Sequence, residues 1–149
     1  PRSRGRVQLK SSDPSEPPII EPNYLSHKDD VRDLLEGVKV LRKIAQTDSF
    51  RGVIGEEFRP GTDCQSDKKM IQHIKETVWT VFHPSSTCRM GPDPNNDVVD
   101  SHLKVYGIES LRVADASIFP KLVCGNINAA TIMVGEKASD LILQDQVHV

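Results

Sequence analysis

Polar and apolar positions alternate through Arg6-Val7-Gln8-Leu9-Lys10, which predicts a half-buried strand. Ser11-Ser12-Asp13-Pro14 follows with turn chemistry: short side chains that bond their own backbone, then a fixed φ. Pro18-Ile19-Ile20 predicts a second short strand, and Asn23 to Ser26 a loop. From Asp29 to Asp48 the period changes. Val31, Leu34, Leu35, Val38, Leu41 and Ile44 recur at helical intervals and make one apolar stripe. Gly52, Gly55, Pro60 and Gly61 make the next stretch irregular. A second helix is predicted over Asp67 to Thr77, with Ser66 as its N-cap and Met70, Ile71, Ile74 and Val78 on its buried side.

Val78 to Phe82 is β-prone and runs straight into His83-Pro84-Ser85-Ser86-Thr87-Cys88-Arg89-Met90-Gly91. Gly91 to Asn96 is a turn cluster. Val98 to Asp100 and Leu103 to Val105 read as short strands, and Leu111 to Ala114 as a better one ending at Asp115. A closing helix is predicted from Ala129 to Leu143, with Ile132, Met133, Gly135, Glu136 and Ala138 packing its first half. The tail from Gln144 to Val149 is expected to fray. Strands and helices in this mixture predict an α+β class.

Composition narrows the function. The chain has 149 residues, 37% of them hydrophobic, so the core is modest. Its 19 Lys+Arg against 21 Asp+Glu give a net charge of -2, which argues against a nucleic-acid partner. No apolar run approaches the roughly 20 residues that cross a bilayer. Pro1 to Arg6 is basic with no apolar segment behind it, which is unlike a secretory signal. The absence of an initiator Met suggests a processed chain or a piece of a longer one. Cys64, Cys88 and Cys124 stand far apart without a CxxC pair, so no structural zinc site is expected. Their odd number fits a reducing compartment.

Of the histidines, only His83 sits between a β-prone run and a turn carrying three hydroxyls and a thiol. It reads either as a hydrogen-bonded structural side chain or as a catalytic base. Ser85, Ser86 or Cys88 as a nucleophile beside it is the weaker idea, because no G-x-S-x-G elbow is present. Asn126 and Asn128 flank the start of the last helix, where Asn is a favoured cap and where free N–H groups can hold an anion. Asp115 is either a turn former or a functional carboxylate.

The segments HPSSTCRMG (His83 to Gly91), VVD (Val98 to Asp100), LKVYGIESLRVADASIFP (Leu103 to Pro120) and GNINAATIMVGEKASDLI (Gly125 to Ile142) occur in the order and spacing of one family. They resemble the C-terminal part of the glucose–methanol–choline oxidoreductases, choline-dehydrogenase-like members in particular. Pro1 to Pro14 and Pro17 to Val31 resemble the stretch that precedes these blocks in that family, so the resemblance covers essentially the whole chain.

The resemblance implies an FAD-dependent enzyme that oxidises the CH–OH group of a small-molecule alcohol. His83 matches the family's active-site histidine, and Asn126 the second member of the catalytic pair. Asp115 and Ala116 match a stretch lying against the cofactor, and Asn128 and Ala129 match backbone reaching the flavin ring, with Asn128 also expected to cap the last helix. It implies that residues 1–92 are a portion of a mixed-sheet substrate domain. Residues 93–149 would then be the last strand and helix of a Rossmann-like FAD-binding domain. The G-x-G-x-x-G fingerprint is not in this sequence, so the isolated chain is expected to bind FAD weakly and to need the rest of its polypeptide as partner. Two other readings stay open: a hydroxynitrile lyase-like FAD protein on the same scaffold, and a non-catalytic fragment. The presence of both His83 and Asn126 favours an enzyme lineage.

Overall fold

The computed structural model describes residues 1–147. The chain falls into two compact units, Pro1–Trp79 and a second beginning at Thr80. The division lies upstream of the 92/93 position at which the domains were expected to change. The Gly91 N–H donates to Val99 O at 3.1 Å, so packing holds the His83 segment to the residues that follow it.

In the first unit, β1 (Arg6–Gln8) and β2 (Ile19–Glu21) form an antiparallel hairpin in which Val7 pairs with Ile20. Gly5 lets the strands close, because a Cβ there would collide with the carbonyl oxygens of Glu21 and Pro22. In the turn, Asp13 Oδ1 accepts from Ser15 N at 2.9 Å, as the Ser-Ser-Asp-Pro run predicts. Both strands are exposed along their length.

Helix α1 (Lys28–Ala45) starts where His27 Nδ1 accepts the Asp29 N–H, with Asp29 and Asp30 in its first turn. It ends earlier than the sequence pattern suggests. Thr47 is extended, its Oγ1 bonds Ile44 O at 2.8 Å, and a short turn α2 (Asp48–Arg51) restarts the helical path. A hydroxyl that competes for a helix carbonyl is a local stop signal. Helix α3 (Asp67–Thr77) has its predicted bounds and its Ser66 cap, with Lys69 N donating to Ser66 Oγ at 3.3 Å. Met70 and Ile74 pack against Leu35 and Cys64. Leu34, Leu41, Ile44 and Val78, expected inside, are exposed.

The second unit holds fewer strands than its sequence predicts. Val78 to Phe82 is irregular, and Phe82 lies at φ 58. The expected strands around Val99, Val105 and Arg112 reduce to single bridges: Met90 with Val99, Val99 with Val105, Lys104 with Arg112. Left-handed residues Leu103, Gly107 and Ser110 turn the chain before a second pair can form.

A 3-10 turn (Ala116–Ile118) and helix α4 (Asn128–Val147) complete the unit. Val99, Leu103, Ile118, Phe119, Val134, Ala138 and Leu141 form its core. Of the five residues expected to pack the start of α4, only Ala138 is in that core; Ile132 and Met133 are 59% and 58% exposed. Apolar residues run almost evenly around α4, so the pattern does not mark which face is buried. The helix continues through Gln144 to Val147, where fraying was expected. Asp145 pairs there with Lys104 at 2.6 Å and Arg112 at 2.5 Å. His148 and Val149 lie outside the described residues.

Candidate active site

Pro84 restricts His83 to an extended backbone, and the chain beyond it runs beside the 3-10 turn. The N–H groups of Ser86, Cys88 and Met90 donate to the carbonyls of Ala116, Ser117 and Ile118 at 3.2, 2.9 and 2.8 Å. These three bonds bring the histidine segment and the Val-Ala-Asp-Ala-Ser segment together.

Asp115 caps the 3-10 turn, its Oδ1 accepting from Ser117 N at 2.7 Å. The Ser117 hydroxyl and amide hold its carboxyl below the usual carboxylate range. Here Asp115 does what a turn-forming Asp does. At the head of α4, Gly125 at φ 133 turns the chain into the helix. Asn126 Oδ1 accepts from Asn128 N at 3.0 Å. Asn128 is therefore the first helical residue rather than the cap expected of it, and the capping oxygen belongs to Asn126. The amides of Ala129 and Ala130 precede the first i−4 bond at this end, from Thr131 N to Ile127 O at 2.9 Å.

These pieces surround one cleft of about 500 Å³, lined by His83, Pro84, Thr87, Asp115, Ala116, Ser117, Asn126, Ile127, Asn128 and Thr131. Five of the six sequence-selected site residues meet there. The sixth, Ala129, is exposed on the first turn of α4 and is not part of the wall. His83 is half-buried and Asn126 exposed. Among the described residues, no group of the chain hydrogen-bonds the His83 ring or the Asn126 Nδ2. Both remain available to a bound molecule.

Ser85, Ser86 and Cys88 are not in the wall. Thr87 and Thr131 are in the wall and were not foreseen; a hydroxyl residue carries no sequence signal of facing a cleft. The Thr131 hydroxyl is engaged by Ile127 O at 2.9 Å. All three cysteines are free thiols. Among the described residues there is no metal-competent cluster and no helix long and apolar enough to cross a membrane.

A family model described as GMC oxidoreductase matches residues 1–135. The chain belongs to the GMC oxidoreductase family. It is 48% identical over 143 residues to an oxygen-dependent choline dehydrogenase of Brucella anthropi, covering 95% of this chain and 26% of that protein. It is 44% identical over 144 residues to an alcohol dehydrogenase [acceptor] of Pseudomonas putida, covering 97% of this chain and 26% of the relative. Among solved structures, an FAD-dependent oxidoreductase from Chaetomium thermophilum superimposes with a TM-score of 0.91 at 28% identity, over 98% of this chain and 25% of that one. The chain thus spans about a quarter of the length of the GMC relatives it matches. Its fold is the C-terminal domain fold of the GMC family, a mixture of helix and sheet.

Proposed function

We propose that this chain is the C-terminal part of an FAD-dependent oxidoreductase acting on the CH–OH group of a choline-like alcohol. The observation that carries this reading is the single cleft holding His83 and Asn126 at the head of α4. The names of the relatives, choline dehydrogenase and alcohol dehydrogenase, support the substrate class.

In this reading His83 takes the hydroxyl proton of the alcohol. Imidazole is suited to the task because a neutral ring nitrogen can accept a proton as a general base. Asn126 orients the same oxygen. Its Oδ1 is engaged by Asn128 N, so the group it presents is the Nδ2 donor, which cannot compete for the proton. The start of α4 adds its dipole and the amides of Ala129 and Ala130, which favour negative charge at the cleft.

FAD, when bound, supplies the acceptor for the hydride leaving the alcohol carbon. The residues fit such a group: Asn128, the first residue of α4, and the small Ala116 line the same cleft as the proposed base. Asp115 and Ala116, together with the backbone of Asn128 and Ala129, are what we assign to holding it. Residues 1–92 are assigned to the substrate domain and 93–149 to the returning segment of the FAD domain, with the rest of the polypeptide supplying the remaining FAD contacts.

The test is His83→Ala in the full-length, FAD-loaded protein. Flavin reduction by alcohol, followed by stopped flow, should slow by roughly 10²–10⁴-fold with FAD content unchanged. A rate within about threefold of wild type would overturn the assignment of the base. Cyanohydrin cleavage without flavin bleaching would replace it with a lyase.

A further inference from the structure

The His83 ring has no partner among the described residues, so its placement depends on the backbone of its own segment. One edge of that segment is held by the carbonyls of Ala116, Ser117 and Ile118. Its C-terminal end is held by an ion pair that neither the cleft nor the proposed chemistry uses. Arg89 Nε donates to Asp97 Oδ1 at 2.7 Å, and Arg89 Nη2 donates to Asn96 O at 3.0 Å. Asp97 Oδ2 accepts from Asp93 N at 3.0 Å. The Arg89 carbonyl accepts from Val98 N at 2.8 Å.

Asp97 is the buried member of this group, its side chain only 6% exposed, while that of Arg89 is 44% exposed. A buried carboxylate with both oxygens engaged is costly to disturb. Gly91 shows how tightly it is enclosed: a Cβ at that position would collide with the Asp97 carboxylate. The chain therefore folds back over Asp97 and returns to Val99, the fully buried residue of the core, which bridges to Met90. The pair ties one end of the histidine segment to the core.

We propose that the Arg89–Asp97 pair is a positioning device for His83, fixing the far end of its segment so that the ring meets the substrate oxygen at the cleft. This rests on the reading of His83 as the base. A base displaced by about 1 Å loses much of its advantage, so releasing the clamp should act on the chemical step more than on binding.

The test uses the full-length, FAD-loaded protein with Arg89→Lys and Asp97→Asn, each alone and combined with His83→Ala. Arg89→Lys keeps the charge on an exposed side chain and loses the second contact, so it serves even if Asp97→Asn does not fold. Arg89→Lys should lower the limiting rate of flavin reduction about tenfold, move half-saturation by alcohol less than about threefold, and leave the flavin spectrum unaltered. Hydrogen exchange over residues 83–90 should accelerate in the same variant. In the His83→Ala background the same substitution should cost less than about twofold, because the group it positions is gone.

A normal rate in Arg89→Lys beside a slow His83→Ala would overturn the clamp alone. So would an equal loss in both backgrounds, which marks a general structural role, or exchange identical to wild type. A normal rate in His83→Ala would remove the reading beneath it, and the clamp with it.

Discussion

The side-chain oxygen of Asn126 accepts the backbone N–H of Asn128 at 3.0 Å, and this bond sets what each end of the Asn126 amide can do. The oxygen caps α4, and the nitrogen is left at the cleft. The two functions separate by substitution. Asn126→Asp keeps the capping oxygen and adds a charge favoured by the helix dipole, but it removes the donor. It should preserve the melting temperature while slowing flavin reduction, whereas Asn126→Ala should lose both. The cap should account for about 0.5–2 kcal/mol of stability. The donor should account for about 0.5–3 kcal/mol of transition-state stabilisation, depending on the charge on the oxygen. Asn128→Ala, whose backbone alone makes the bond, should be nearly neutral in both thermal melts and stopped flow.

Asp30 should make the protein acid-sensitive at the N-terminal arm. Its carboxylate accepts from Arg2 N at 2.6 Å and Ser3 N at 2.8 Å, and from the Ser3 hydroxyl. The Ser3 hydroxyl, then the Arg2 and Ser3 amides, hold its pKa far below the usual carboxylate range. A depressed folded pKa stabilises the fold above the unfolded value of about 3.9 and stops doing so as pH falls towards the folded one. Asp30→Asn should therefore melt lower than wild type at neutral pH. The gap should narrow as pH drops from about 5 towards 2. Melting curves at a series of pH values would show a constant gap if Asp30 carried no such linkage.

Cys88 adjoins the histidine motif but stands outside the cleft wall, and its backbone N–H is held by Ser117 O at 2.9 Å. Its thiol behaves as a small, half-buried apolar group. Cys88→Ala should keep flavin reduction within about threefold of wild type and cost about 1 kcal/mol of stability. An inactive variant that folds and holds FAD would show instead that the thiol takes part.

Val99 is fully buried and bridges to both Met90 and Val105. Val99→Ala should cost about 2–3 kcal/mol, two methyl groups and the void they leave. Because Val99 O also receives the Gly91 N–H, hydrogen exchange should rise at Gly91 before it rises in α3. Uniform exchange changes across both units would contradict this.

What the sequence determined by itself is local. Ser66 caps α3 because its hydroxyl reaches an amide three residues on, a bond that needs only the chain nearby. The hairpin around Asp13 has the same character, and so does the list of residues with suitable chemistry, His83 and Asn126 among them. The tertiary structure decided what depends on partners distant in sequence. Val98 to Asp100 and Leu111 to Ala114 have strand propensity, but a strand exists only where a neighbour continues beside it, and here each pairing stops at one bridge. Helix α4 is apolar nearly all round, so only packing against Val99, Ile118 and Phe119 picks Val134, Ala138 and Leu141 as its inner face. Two asparagines of equal capping propensity stand two residues apart. Which one caps and which begins the helix depends on where the turn at Gly125 delivers the chain, because a side-chain oxygen reaches only the amide that the backbone path brings to it.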